Sequence, residues 1–215
     1  VSNPESFIDE VTEEVRRDKL FGYLRRYGWI GIVAVLMIVG GAAWNEYQKA
    51  QNQAESQAFG DAILAALDQD DAAARETALA AVPAPGQRAG VLGLLLSTDP
   101  VNDRAAALAA LDAVAADQSL PVSYRDLAIL RRVIVAGADL SVSDRRALLD
   151  PIAAPGRPFR TLALEQMALL SVEEGKADAA ITSLEQLRQD QEAPPGLRSR
   201  AEQMIVALGG TPAAQ

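Results

Sequence analysis

The chain contains neither cysteine nor histidine. Without thiolate or imidazole there is no zinc site of the usual ligands, no cysteine nucleophile and no serine–histidine system. No side chain has an unperturbed pKa near neutrality. The missing cysteines leave the redox compartment open, because such a chain sits equally well in an oxidising periplasm or a reducing cytosol. Aromatic residues are scarce at 5%, and no strand-like alternation of apolar and polar residues runs through the sequence. Strands favour aromatic and β-branched side chains, whereas the apolar surplus here is alanine, so the expected fold is all-α with close-packed helices. Basic residues are outnumbered by acidic ones, for a formal net charge of -9 and a pI near 4.6. That balance argues against nucleic acid as the main partner.

The residues left for catalysis do not converge. Asp70 with Asp71 and Glu173 with Glu174 are sequence neighbours, which face different sides of a helix. The acidic runs Asp68–Asp71 and Asp99–Asp103 lack the glycine and distal glutamate of a calcium loop. Lys176 is near Ser171 and Ser183 in sequence, but it follows Gly175 in a hairpin turn, where lysine is ordinarily exposed. There is no glycine-rich phosphate loop. The expectation is a non-enzyme with no catalytic, cofactor-binding or metal-binding residues.

What the sequence does have is one long apolar run, "YGWIGIVAVLMIVGGAAWNEY". From Gly28 to Trp44 it carries no charge. Tyr27 to Tyr47 is about twenty residues, which at roughly 1.5 Å per residue spans about 30 Å, the thickness of a bilayer hydrocarbon core. Ile30, Ile32, Val33, Val35, Leu36, Met37, Ile38 and Val39 form its body. Tyr27 and Trp29 at one end, with Trp44 and Tyr47 at the other, would place amphipathic rings at both headgroup levels. Arg16, Arg17, Lys19, Arg25 and Arg26 precede the run and only Lys49 follows closely, so the positive-inside rule puts the N-terminus in the cytoplasm and the bulk of the chain in a bacterial periplasm. The main reading is a retained signal-anchor in the lipid bilayer of the inner membrane. Two alternatives stay open: a buried core helix, or a signal peptide cut at the small residues before Trp44 to release a soluble periplasmic binding protein. Against cleavage stand a leader that is long and acidic as well as basic, and a run longer than a typical signal-peptide core. Gly40, Gly41, Ala42 and Ala43 form a small-residue patch without the spacing of a helix-dimer motif.

Ahead of the run, Ser2 or Asn3 can cap a helix that starts at Pro4, with Glu5 and Asp9 at its positive end. Phe7, Ile8, Val11 and Val15 recur at helical spacing. This amphipathic segment is either a docking element, for a membrane complex or the lipid surface, or a solvated helix whose charges only fix topology. Behind the run, turn and cap signals divide the chain into helices near 54–68, 71–81, 87–97, 102–116, 121–136, 143–150, 158–173, 177–190 and 195–208. The first of them continues the anchor helix into the domain. The stretches Val82–Gln87 and Pro151–Phe159 interrupt helices because proline lacks the amide donor and clashes with the preceding turn. Asp99, Ser141 and Ser143 are candidate caps. Short connections imply antiparallel hairpins, giving expected segments of 1–27 (cytoplasmic helix), 28–47 (span) and 48–215 (periplasmic helical domain).

Self-similarity sharpens the domain reading. In "RTLALEQMALLSVEEGKADAAITSLEQLRQD", Leu164, Met167 and Ala168 share one face of a first helix, Gly175 turns the chain, and a second helix presents Ala180, Leu184 and Leu187. This resembles the 34-residue tetratricopeptide unit, with Pro194 and Pro195 slightly late for its closing proline and its usual tryptophan and tyrosine missing. The alternative is a generic alanine-rich bundle. Together, the amphipathic start, "LRRYGW" entering the span, "WNEY" leaving it and the pattern from Phe159 to Leu208 resemble the tetratricopeptide-like family of bacterial inner-membrane proteins that includes the ancillary subunit of the Sec translocon. The resemblance covers the whole chain, with 87–150 matching only in type. It implies a periplasmic scaffold of stacked hairpins, a tetratricopeptide-like solenoid, that links a membrane complex to chaperones and exported proteins, and it brings no catalytic residues. A rival client is another inner-membrane complex, such as a respiratory one, of which this chain would be an accessory or assembly subunit. Arg157, Arg160, Arg198 and Arg200 are the candidate partner-binding residues.

Overall fold

The structure, a computed structural model, describes residues 4–99, 101 and 103–211, with side chains from Arg25 onward. Among the described residues it is all-α. The helices are α1 (Pro4–Leu67), α2 (Ala72–Ala80), α3 (Arg88–Leu96), α4 (Arg104–Ala116), α5 (Val122–Ala136), α6 (Val142–Leu149), α7 (Arg160–Glu173), α8 (Ala177–Gln189) and α9 (Pro195–Ala207), with a 3-10 turn at Gly137–Asp139. Two compact units divide the chain, Val1–Ala58 and Phe59–Gln215.

The first unit is the long part of α1. Pro4 opens the helix, as its fixed φ suits a first position; the expected caps Ser2 and Asn3 lie outside the described residues. From Trp29 to Val39 the large apolar side chains are exposed, Met37 at 68% and Ile38 at 72%. The helix does not stop where the apolar run ends. Residues 48–58 continue it with exposed side chains, because "QKAQNQAESQA" has nothing large and apolar to bury. The second compact unit begins at Phe59.

In the second unit each helix packs on the next, and α3 also meets α5. Four buried clusters follow one another along the chain. Ala66, at the end of α1, joins Leu79, Val82 and Leu92. Leu111 and Val114 of α4 join Leu120 and Ala128. Leu130 and Val133 join Leu149, Ile152, Ala163 and Leu170. Ala168, Leu184 and Leu187 join Ala193, Leu197, Ala201 and Ile205. A series of small cores built between successive helices is the arrangement of helical repeats, in which each unit contacts its neighbours. Small residues set the closest crossings: a Cβ on Gly93 would come within 2.5 Å of Val114, and one on Gly90 within 2.7 Å of Tyr124.

Of the three candidate caps Asp99, Ser141 and Ser143, only Ser141 caps a helix. Ser141 caps α6, accepting from the Asp144 N–H at 3.0 Å, while Ser143 sits inside that helix beside the Ser141 hydroxyl. The cap of α4 is Asp103, which accepts from the Ala106 N–H at 2.9 Å. Asp99 is not a cap, because α4 starts later than expected, at Arg104. Gly175 turns α7 into α8 at φ 73. The Lys176 N–H donates to Ser171 O and the Gly175 N–H to Val172 O, both at 2.9 Å, the paired closure that a left-handed glycine permits.

Candidate interaction surface

Arginine makes most of the ties between helices. Seventeen of the twenty basic residues are arginine, and its planar fork suits fixed pairing better than the ammonium of lysine. Two of them close helix ends. Arg131 on α5 donates to Leu94 O at 2.9 Å and Ser97 O at 2.8 Å, and Arg104 on α4 donates to Ala136 O at 2.6 Å. Each puts positive charge on the carbonyl end of a helix dipole. Burial pushes the Arg131 pKa down from its ordinary value, yet a guanidinium remains charged at any physiological pH. Other arginines reach carboxylates: Arg132 to Asp112, Arg145 to Glu173, and Arg146 to Glu174 at 2.9 Å.

The four arginines singled out from the sequence fall into the same scheme, and the fold does not gather them into one patch by pairing them to a common partner. Arg157 pairs with Asp126, whose side chain is fully buried in α5. Arg160 pairs with Asp190 and, at 2.7 Å, with Glu192. Arg200 on α9 forks onto Glu165 of α7 at 2.9 and 3.0 Å. Arg198 is half-buried. Three of the four thus have their charge engaged within the domain.

Of the acidic neighbours, Glu173 and Glu174 enter the same pairings. Glu173 and Glu174 each take a different arginine, as residues on different sides of a helix must. The hydrogen bond from Arg145 holds Glu173 below the usual carboxylate range. Lys176, at 3.3 Å, and then Arg146 do the same for Glu174. Asp190 is lowered first by the backbone N–H of Glu192 and then by Arg160. Ser171 donates to Met167 O at 3.2 Å and Ser183 to Ala179 O at 3.0 Å, so the lysine and both serines have other partners. Among the described residues, no three acidic side chains come together as a metal-ion group.

Two grooves of the second unit have the size to receive a side chain or a chain segment. One, of about 390 Å³, lies between α3 and α4 and is apolar, with Leu92, Leu96, Ala110 and Ala113 among its walls and Asp117 at its edge. The other, of about 480 Å³, lies along α6, α7 and α8. Leu164, Met167 and Leu187 give it an apolar floor; Ser171, Ser183 and Gln186 give it hydrogen-bonding groups; Arg146, Arg160 and Asp190 supply charge. Leu164 and Met167, read from the sequence as sharing one face of the helix, are half-buried against the core clusters and also line this groove. A mixed lining of that kind suits a polypeptide segment better than a purely apolar ligand.

The remaining surface feature is α1. It is long and apolar enough to cross a membrane, and none of its apolar window is buried in the fold. Tyr27, Trp29, Trp44 and Tyr47 are all exposed, with Arg26 over the Tyr27 ring at 5.9 Å and the Trp44 and Tyr47 rings 6.3 Å apart. A buried core helix is therefore not its role in this fold. Arg25 and Arg26 are exposed beside it; Arg16, Arg17, Lys19 and the Phe7 to Val15 stripe fall where only the backbone is described.

Fold and surface together define an all-α protein of paired helices in helical-repeat order, carrying one N-terminal apolar helix of the length of a membrane span or signal segment. No family model, curated protein or solved structure matches this chain.

Proposed function

We propose that the protein is a non-catalytic scaffold of the bacterial inner membrane, anchored through 28–47 with its N-terminus cytoplasmic, whose periplasmic helical domain binds protein beside a membrane complex. The observation that carries this reading is a bilayer-length face of exposed apolar side chains, girdled by aromatics, on the same chain as a series of paired helices. A tether of that kind raises the effective concentration of a binding domain near its target without any added contact. The α6–α8 groove is the binding surface, taking an extended or helical polypeptide segment. The resemblance to the tetratricopeptide-like inner-membrane family supports a place beside the protein-export translocon, with periplasmic chaperones or exported chains as clients.

The test is recovery of partners from native membranes in mild detergent through a C-terminal tag. Translocon subunits or chaperones should accompany the chain, and Leu164→Glu with Met167→Glu should lower their recovery about tenfold with helicity retained. Recovery indifferent to the groove variant would overturn the groove assignment. Respiratory subunits in fixed ratio, lost when the span is replaced by a leucine helix, would make the chain an accessory subunit of that complex instead.

A further inference from the structure

The part of α1 ahead of the apolar run differs from a membrane-surface helix in its backbone and in its charge. From Pro4 to Leu67 the backbone is a single α-helix, uninterrupted by any other element, and no proline follows Pro4 within it. A helix lying in the headgroup plane runs nearly perpendicular to one crossing the bilayer, so a chain that did both would have to break between Val15 and Trp29. No break occurs there. The charge order points the same way. Glu5, Asp9, Glu10, Glu13 and Glu14 all precede Arg16, and no lysine or arginine accompanies them. Interfacial helices carry basic residues on their polar face, whereas anionic headgroups repel acidic ones. The basic residues Arg16, Arg17, Lys19, Arg25 and Arg26 occupy instead the stretch nearest the apolar run. Between the acids, Phe7, Val11 and Val15 recur at four-residue steps, with Ile8 beside them, on one side of the helical register.

We propose that the segment 4–15 is a docking helix for a protein on the N-terminal side of the membrane, received in an apolar groove rimmed by lysine or arginine. The acidic register positions select the basic rim, and the apolar stripe supplies the anchors, the helix-in-groove mode of recognition. The unbroken helix holds this segment off the bilayer surface. The inference rests on 28–47 being a span.

The test places the photo-crosslinking residue p-benzoylphenylalanine at position 11 of the full chain in native membranes, with position 13, on the opposite side of the register, as the control. The expected result is a protein adduct from position 11 and not from 13, with a net positive cross-linked peptide and a yield that falls about tenfold in Glu10→Gln with Glu14→Gln. A lipid adduct from position 11, equal adducts from both positions, no adduct, or an adduct indifferent to the neutralised glutamates overturns the docking helix. Alkaline carbonate extraction of the same membranes separates the two readings: a chain that washes off overturns the span and the docking helix together, whereas an integral chain with any of those outcomes overturns the docking helix alone.

Discussion

Between Trp29 and Val39, α1 turns isoleucine, valine, leucine and methionine outward. In the unit from Phe59 onward, the same residue types close into four clusters where Leu111, Leu149, Leu184 and Ile152 are fully buried. The apolar side chains of the domain find each other because neighbouring helices, joined by short turns, face them. Those of the run are bounded by aromatic rings and then by a hydrophilic stretch, and among the described residues no second helix is as long and apolar. Hydrophobic burial is nondirectional and needs only a waterless neighbour, which the domain supplies from within and α1 has to find outside.

That contrast can be broken most severely in α1. Val35→Lys with Ile38→Lys should cost about 6 kcal/mol of insertion, from roughly 3 kcal/mol per lysine at a span centre. The measurement is the fraction of chain retained in the membrane pellet after alkaline carbonate. The next effect lies in the domain: Leu184→Ala removes a fully buried side chain and should cost about 3 kcal/mol in urea unfolding. Leu36→Ala, on a side chain 64% exposed, should leave the unfolding of the domain unchanged. Asp126→Ala leaves the Arg157 guanidinium without the carboxylate it now meets and should cost about 2 kcal/mol. Asp126→Leu with Arg157→Met should recover most of it, because a well-packed apolar pair can replace a buried ion pair. Ser141→Ala deletes the α6 cap and should cost about 1 kcal/mol by the same unfolding measurement.

A smaller effect than those of the cap and the core is that of pH. Glu173, Glu174 and Asp190 are held below their ordinary values, so as pH falls the unfolded chain takes up protons first. Their stabilisation is complete above about pH 5 and is lost as pH drops through the lowered folded values. Melting temperature followed from pH 6 to pH 3 should fall in that window. Because these pairs are partly solvated, Arg145→Met should flatten the fall only slightly.

Much of this was legible in residues that act locally. Gly175, the proline-bearing breaks and the Ser141 cap signal their roles within a few positions, and each helix expected from position 71 onward overlies an observed one. The bilayer-length run was legible for the same reason, since its length and its girdles are contiguous. The arginine ties were not. Arg131 meets Leu94, Arg200 meets Glu165 and Arg157 meets Asp126 across more than thirty positions, and no spacing rule connects residues so far apart. Seen alone, Arg157, Arg160 and Arg200 look like free surface charge. The excess of arginine over lysine was the available signal, since fixed pairing is what distinguishes the two side chains. The tight crossings at Gly90 and Gly93 were hidden similarly, because an interior helical glycine reads first as a weak helix former.

The most direct test of the account is the fate of α1 in intact cells. Spheroplasts carrying the full chain are treated with protease from outside, and the membranes are then washed in alkaline carbonate. The expected result is a membrane-held fragment that contains 28–47 and has lost the domain beyond Phe59. A soluble chain beginning near Trp44, or a domain shielded from external protease, would contradict it.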